Sequence, residues 1–503
     1  MTLPTSVVET HISSLFFVGD RVYKRKKPVR NGFLDFTTVE SRRIACRREV
    51  ELNRRLAPDI YLGVAELTLD GIDSGLGTDA APPGETLDHL VVMCRLPENR
   101  RLSARLDGLT IASDLRDVAR LMATFHVGAL RSPAIDDASG YAALSGLWEQ
   151  GLEQIAPFAP SVLDEDELDR IAQLSRDYLS GRHDLFDQRI RDGRACDGHG
   201  DLQAEDIFIL DDGPRILDCL EFSDLLRCGD VLADVAFLAM DLERLGQPEL
   251  GWSFLDDYQT LSSDHWPTSL AHHYMAYRAH IRSKVACLRH EQGDADAAHA
   301  ARGLHDQCLD HLGAARIQLI VVGGSPGTGK TSVSRALSDR LDAVLLSTDT
   351  IRDGILPRPD SVAVSDDLDR GRYTPDRIDA VYTELLRLAS VVLSHGQSVV
   401  LDASWLDPRQ RQLARAVGEQ TTSVLTEFRC VCPDDLAGQR IRDRIANGRS
   451  ASEATPMVAD RLSARAQPWP EAVILDTDRP LAVTVTEALR VSGEGVDARH
   501  AHQ

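Results

Sequence analysis

The residues of this 503-residue chain whose types and spacing most narrowly limit their chemistry are Gly324-Ser325-Pro326-Gly327-Thr328-Gly329-Lys330-Thr331, which fit G-x-x-x-x-G-K-[ST]. Glycines at these positions let backbone N–H groups turn toward phosphate oxygens, a lysine there reaches the β- and γ-phosphates, and a threonine hydroxyl there can hold Mg²⁺. A nucleoside triphosphate is the expected ligand. Phosphoryl transfer also needs a carboxylate near the acceptor hydroxyl and cations around the moving phosphate. Ser347-Thr348-Asp349-Thr350-Ile351-Arg352 offers both: Asp349 as base and Arg352 as a substrate-binding cation, with helix capping as the other reading of Asp349. Asp402 ends Val399-Val400-Leu401-Asp402, where it can face the substrate or orient Mg²⁺ and its waters, or simply close a turn. Arg440, Arg442 and Arg444 precede Gly448-Arg449-Ser450. Arg440 and Arg444 lie four apart on one helical face and suit a lid over phosphate, or a solvated surface.

A second constellation lies upstream, in Asp197-Gly198-His199-Gly200-Asp201-Leu202-Gln203-Ala204-Glu205-Asp206-Ile207, followed by a hairpin-like stretch that ends at Asp218. Protein-kinase-like catalytic loops run His-x-Asp-x-x-x-x-Asn, then a hairpin, then a metal-binding Asp. On that spacing Asp201 is the base candidate, Asp206 stands where the Asn would be, and Asp218 falls at the metal Asp. Such a site also requires a strand lysine for the α/β-phosphates and a helix glutamate to hold it. Lys24 or Lys26, on one face of the same strand, and Glu49 supply these. The basic run around them reads equally as an exposed strand with a solvated face. Leu90 to Arg95 reads as the last strand before a hinge where adenine would sit, and Gly19 alone marks the turn where a glycine-rich loop would lie. His126 reads as a packed core histidine. Arg278, Arg282 and Arg289 could bind an anionic acceptor or bridge between domains.

These groups need two scaffolds. Downstream of about residue 313, strands expected at 317–322, 343–347, 398–402, 423–431 and 472–476 alternate with helices, which implies a parallel sheet with its ligand at the carboxyl ends of the strands. Upstream, a strand-rich first third gives way to helices, strongly so from 267 to 315. Loop signals fall at 71–84, at 292–303 and after Ser492. The expected division is a domain over 1–312 (N-lobe about 1–95, C-lobe about 96–312), a domain over 313–492 and a disordered tail over 493–503, sizes that domains commonly have.

Bulk composition narrows the partners. The formal net charge is −22, which disfavours a general nucleic-acid binder. No apolar run reaches membrane-spanning length, and the first basic residues follow rather than precede the short Ser14–Val18 apolar stretch, the wrong order for a signal peptide. Nine scattered cysteines without Cys-x-x-Cys pairs read as reduced core thiols. A cytoplasmic protein is expected.

The P-loop, the Asp-x-x-Arg after the second strand and the arginine-bearing lid resemble the P-loop kinases of the zeta-toxin, gluconate kinase and polynucleotide kinase-phosphatase group. His199-Gly200-Asp201, with Gly229-Asp230 and Asp234-Val235-Ala236, looks like the aminoglycoside phosphotransferase and choline kinase-like superfamily. That likeness implies Asp201 as base and Asp206 and Asp218 as metal ligands. Asp206 departs from the usual Asn, and Asp218-Cys219-Leu220-Glu221-Phe222 departs from Asp-Phe-Glu, so Glu221 is a candidate to share the Asp218 role. Phe33-Leu34-Asp35-Phe36 and Leu52-Asn53-Arg54-Arg55-Leu56-Ala57-Pro58 extend the match over the N-lobe. The whole chain resembles fused proteins, frequent in actinobacteria, that join an aminoglycoside phosphotransferase-like domain to a P-loop kinase-like ATPase domain. The resemblance implies an α+β, protein-kinase-like two-lobed N-terminal domain and an α/β P-loop kinase domain. Two ATP- and Mg²⁺-dependent sites would act on hydroxyl groups of small molecules. Two other readings stay open: a regulatory nucleotide-binding protein whose N-terminal module is a sensor, and phosphorylation of nucleic-acid ends by the P-loop module.

Overall fold

The computed structural model describes residues 6–10, 12–31, 34–69, 71–73, 86–355, 374–446 and 466–493. The expectations for Phe33, the loop over 74–84, Gly448-Arg449-Ser450 and the tail from 494 lie outside the described residues. The chain packs into two compact units. The first comprises Met1–Ser175, Phe186–Trp266 and Leu270–Ala314; the second comprises Arg176–Leu185, Pro267–Ser269 and Ala315–Gln503. The second unit is thus not one continuous stretch: Ser269 Oγ donates to Gly396 O at 2.7 Å and shares a hydrogen bond with Tyr178 Oη at 3.1 Å.

The first unit opens with an antiparallel sheet of six strands: β1 (Ser6–Glu9), β2 (Ser13–Val18), β3 (Arg21–Lys26), β4 (Tyr61–Thr68), β5 (Gly71–Asp73) and β6 (Thr86–Cys94), in the order β1-β2-β3-β6-β4-β5. The β2–β3 hairpin turns at Gly19-Asp20 with Gly19 at φ +59°, a left-handed conformation that such two-residue turns require. Strand β3 is not the exposed strand that its charge suggests. Its alternation buries Val22, Lys24 and Lys26 on one face, and the lysines are tolerated there because carboxylates meet them. Strand β5 also corrects the loop expected from Gly71, since 71–73 pair with 66–68 of β4. Helix α1 (Val39–Asn53) starts where Thr38 Oγ1 accepts from Ser41 N at 3.0 Å. It packs Cys46 and Val50 against Val22, Tyr61 and Val91 of the sheet.

The rest of this unit is mainly helical. Helix α2 (Ile111–Gly128) buries Leu115, Val118 and Met122. Two short antiparallel pairs follow: β7 (Ala195–Asp197) with β10 (Cys228–Asp230), and the hairpin of β8 (Ile207–Leu210) and β9 (Gly213–Ile216). The loop from 198 to 206 hangs between them. Helix α3 (Val231–Arg244) is buried from Val231 through Leu242, as expected of a helix apolar on nearly every face. Helices α4 (Thr268–Glu291) and α5 (Ala297–Ala314) complete it. The break expected over 292–303 is confined to a few residues, because Ala297, Ala298 and Ala301 carry the buried face of α5 past it.

The second unit is a five-stranded, all-parallel sheet. Its strands are β11 (Gln318–Gly323), β12 (Val344–Ser347), β13 (Val399–Asp402), β14 (Val424–Val431) and β15 (Val473–Asp476), in the order β12-β13-β11-β14-β15. Each lies within a residue of the expected position. Helices α6 (Lys330–Leu341), α7 (Thr348–Ile355), α8 (Pro375–Ser394), α9 (Pro408–Gln420), α10 (Asp434–Ala446) and α11 (Leu481–Val491) connect and cover it. The central strand β11 sends Leu319 and Val321 into one core and Ile320 and Val322 into the other. A strand buried on both faces reads as an unbroken apolar run, which is why it is visible in the sequence. The chain therefore combines a protein-kinase-like first region with a P-loop α/β region. Among the described residues no helix is long and apolar enough to cross a membrane.

Candidate active sites

In the second unit the loop between β11 and α6 takes the glycine-turned conformation that a phosphate cradle requires. Gly324, Gly327 and Gly329 all have positive φ. A Cβ on Gly327 would stand 2.5 Å from the carbonyl oxygen of Ala437, so the loop closes only around glycine there. Thr328 Oγ1 donates to Ser325 O at 2.8 Å, and Thr477 Oγ1 donates to Thr328 O at 2.6 Å. Lys330 and Thr331 open the first turn of α6, whose N–H groups and dipole favour an anion.

A cavity of about 650 Å³ lies over this cradle, lined by Gly327, Gly329, Lys330 and Thr331 together with Asp349, Asp402, Arg440 and Arg444. The sheet brings these residues together: Asp402 ends β13 and Asp349 follows β12, at the carboxyl edge of neighbouring strands. Asp349 is not the helix cap, since its backbone N donates to Ser347 Oγ at 3.2 Å. Its carboxylate instead accepts from Arg352 Nη1 at 2.6 Å, so Arg352 reaches the site through Asp349. Arg440 donates to Thr477 O at 2.8 Å and leans on the P-loop side of the cavity. Arg442, on another face of α10, bonds Gln439. Asp402 is buried at 4% exposure, and burial raises its pKa against the opposing pull of Lys330 and a hydrogen bond from Thr331.

In the first unit the loop after β7 is held from beneath by Asp234. Its two carboxylate oxygens accept from His199 N at 2.6 Å and Gly200 N at 2.7 Å, and His126 Nε2 approaches at 3.1 Å. Burial alone would raise the Asp234 pKa, but these partners hold it below the usual carboxylate range. His126 also meets Tyr258 Oη at 2.7 Å and is the packed core histidine expected. His199 is buried, which lowers its pKa; its Nε2 bonds Leu217 O at 3.1 Å. Asp201 accepts from Gln203 Nε2 at 2.8 Å. Burial pushes its carboxyl up to about 6, with Arg282 and Arg278 opposing and Asp218 assisting the rise. Asp206 lies well above the ordinary range, through burial and through Asp218 and Asp201.

The two lysines of β3 take different partners. Lys24 Nζ bonds Asp218 Oδ1 at 2.5 Å and Glu49 Oε1 at 2.9 Å. Lys26 Nζ bonds Glu49 Oε2 at 2.7 Å and also Glu221, and lies 5.0 Å from the ring centroid of Phe36. Burial opposes the Lys24 charge, yet Asp218 and Glu49 keep it protonated. Lys24 is thus the lysine beside the metal-ligand candidate, while Lys26 is enclosed at 0% exposure. Glu221 faces Lys26. Of the three arginines noted on α4, Arg278 donates to Ala233 O and Gly200 O, each at 3.1 Å, and Arg282 is close enough to Asp201 to draw it toward ionisation. Arg289 instead pairs with Asp294 at 2.6 Å.

Sequence reasoning missed the residues that hold this loop. Arg55 donates to Asp197 and to Gly198 O, Arg227 donates to Asp197 and to Leu220 O, and Asn53 Oδ1 accepts from Cys219 N at 2.8 Å. Asn53 and Arg55 sit in a motif already noted for family likeness, so their signal was present without its meaning. Arg227 gave no signal.

Both sites fit Mg²⁺. In the second unit, Thr331 stands against Asp402, whose buried Oδ1 has no hydrogen-bond partner among the described residues. In the first, burial and the Asp218 charge raise the cost of ionising Asp206, whereas Lys24 outweighs burial at Asp218 and holds it below the ordinary carboxylate range. Among the described residues no group of three or more His, Cys, Asp or Glu forms a cage, so phosphate and water would complete the coordination, as Mg²⁺ commonly allows.

Residues 319–469 match a family model described as an AAA domain. The choline kinase of Cryptosporidium parvum Iowa II aligns over 61% of this chain and 88% of its own, at 12% identity and a TM-score of 0.40. A gluconokinase from Sinorhizobium meliloti 1021 aligns over 35% of this chain and 93% of its own, at 19% identity and a TM-score of 0.25. The uncharacterized protein Rv2004c of Mycobacterium tuberculosis (strain ATCC 25618 / H37Rv) is 39% identical over 491 residues, 96% of this chain and 95% of its own. With that identity extending across both units, the chain belongs to the family of that mycobacterial protein.

Proposed function

We propose that this protein is an ATP- and Mg²⁺-dependent phosphotransferase with two centres, one in each of the domains spanning 1–312 and 313–492, acting on hydroxyl groups of small molecules. The observation that carries this reading is the single cavity onto which Lys330, Thr331, Asp349, Asp402, Arg440 and Arg444 all open. A phosphate cradle alone suits any nucleotide-binding protein; a base candidate and two lid arginines beside it suit transfer. The first unit repeats the logic with Lys24, Asp201, Asp206 and Asp218.

In each centre the base, Asp201 or Asp349, takes the proton of the acceptor hydroxyl as its oxygen forms a bond to the γ-phosphorus. The bond from that phosphorus to the β,γ-bridging oxygen breaks, and its electron pair leaves with ADP. Asp206 and Asp218, or Thr331 and Asp402, would hold Mg²⁺, which when bound neutralises phosphate charge. Lys24 and Lys330 orient the triphosphate, and Arg440 and Arg444 offset the charge of the transferring group.

ATP consumption across sugars, amino sugars, amino alcohols and nucleosides tests the reading. Asp201→Asn and Lys330→Ala are each expected to abolish a separate phosphorylation. A screen flat for every acceptor would count against both centres. The direct Lys24–Asp218 bond favours a second reading for the first unit, a self-closed nucleotide sensor. Unchanged turnover in Asp201→Asn, with ATP still bound, would select it.

A further inference from the structure

Arginines inside the first unit are almost all tied to carboxylates. Arg42 bonds Asp88, Arg55 bonds Asp197, Arg189 bonds both Asp230 and Asp264, and Arg227 bonds Asp197 and Asp224. Arg278 and Arg282 differ. Both are half-buried, and among the described residues neither has a carboxylate within ion-pair distance. Arg278 is fixed by backbone carbonyls, at Gly200 next to the base candidate and at Ala233, and it stacks 4.9 Å over Phe237. Arg282 lies one turn further along α4, on the same face. A guanidinium kept only to ionise Asp201 would bond it, yet the hydrogen bond to the Asp201 carboxylate comes from Gln203. Withdrawing a cation from water without an anion is costly, more so in a chain of net charge −22, where carboxylates abound.

We propose that the acceptor phosphorylated by the first unit carries an anionic group, a carboxylate or a phosphate monoester, which seats on Arg282 and Arg278 while its hydroxyl faces Asp201. This rests on the phosphotransfer reading of that unit. It separates this site from one built for a cationic amino alcohol or amino sugar, since two guanidinium groups at the acceptor side would repel an ammonium.

The test uses the full chain carrying Lys330→Ala, so that turnover reports the first unit. Gluconate is compared with glucose and glycerol 3-phosphate with glycerol, with ethanolamine and glucosamine as cationic members. At least one anionic acceptor is expected to exceed its neutral counterpart, and which one does so separates carboxylate from phosphate recognition. Arg282→Ala is expected to raise the KM for that acceptor about 10- to 100-fold with a much smaller change in kcat; Arg282→Lys should recover part of the loss. A merely structural Arg282 would move Tm or kcat instead, and that result overturns the proposal. Calorimetric titration with gluconate and glycerol 3-phosphate separates the two layers of the argument. Binding that Arg282→Ala removes, without turnover of any acceptor, keeps the anion site and refutes phosphotransfer. Turnover of ethanolamine or glucosamine in preference to the anionic members refutes the anion site and keeps phosphotransfer. Neither binding nor turnover of either anionic probe overturns the proposal outright.

Discussion

Replacing Asp201 by Asn should make the first unit more stable at neutral pH while it removes the proposed base. The reason is the environment of the side chain. Burial raises the Asp201 carboxyl from its ordinary 3.8 to about 6, so the folded state holds the proton more tightly than the unfolded chain does. At about 1.4 kcal/mol for each pH unit, the ionised carboxylate costs about 3 kcal/mol once the pH is well above 6. The sign follows from linkage. A carboxyl raised in the folded state contributes stability that is fully present below the unfolded pKa near 4 and is lost as pH rises through about 6. Asn cannot ionise, and its side-chain oxygen can still accept from Gln203 Nε2, the bond that Asp201 makes at 2.8 Å.

The expected gain for Asp201→Asn is therefore about 2–3 kcal/mol at pH 8, roughly half of that near pH 5, and close to zero at pH 3.5. Because a chain of two compact units need not unfold in one step, the measurement has to be unit-specific. Urea titrations at the three pH values, with unfolding read by pulsed hydrogen exchange in peptides of the buried helix α3, meet that need. Equal effects at pH 3.5 and 8, or a loss of stability at pH 8, would refute the argument that burial holds this carboxyl high. ATP turnover by the first unit should meanwhile fall by about 10²- to 10⁴-fold, as losses of a base-type group do.

Three further outcomes are expected. Asp234→Ala strips the acceptor from two backbone N–H groups at His199 and Gly200, and should destabilise the first unit by about 3–5 kcal/mol in the same titrations; a loss under about 1 kcal/mol would show that the loop does not depend on it. Lys24→Met and Lys26→Met should separate. The first is expected to weaken ATP binding by titration, while the second, which leaves Glu49 and Glu221 buried beside fewer cations, should cost about 3 kcal/mol of stability or more; matching effects would contradict the division between the lysines. Gly327→Ala, at φ +86° with a Cβ 2.5 Å from Ala437 O, should weaken nucleotide binding at the P-loop by about tenfold or more. Unaltered affinity would mean that the cradle tolerates a side chain.

The sequence by itself determined the sheet and P-loop of the second unit, but not that 176–185 and 267–269 pack with it. Its strands are buried on both faces and read as plain apolar runs, its glycines mark backbone that other residues cannot adopt, and its P-loop spans only eight residues. Local signals of that kind survive without tertiary contacts. The spacing of Asp201, Asp206 and Asp218 was legible for the same reason. Only the tertiary structure decided the environment of each charge. Residues 21–26 carry four basic residues and read equally as a solvated face or as a site; pairing of β3 with both β2 and β6 turns Lys24 and Lys26 inward, where Glu49, Asp218 and Glu221 neutralise them. Arg227 and Asp197, thirty residues apart, hold the loop between them by a bond that no periodicity encodes. The clearest case is the arginine series on α4. Helical spacing groups Arg278, Arg282 and Arg289 alike, but the fold pairs Arg289 with Asp294 and brings the other two to Asp201 without, among the described residues, a carboxylate of their own. Spacing along one helix fixes which residues share a face; what that face meets depends on groups distant in the chain, and so does the choice of ligand.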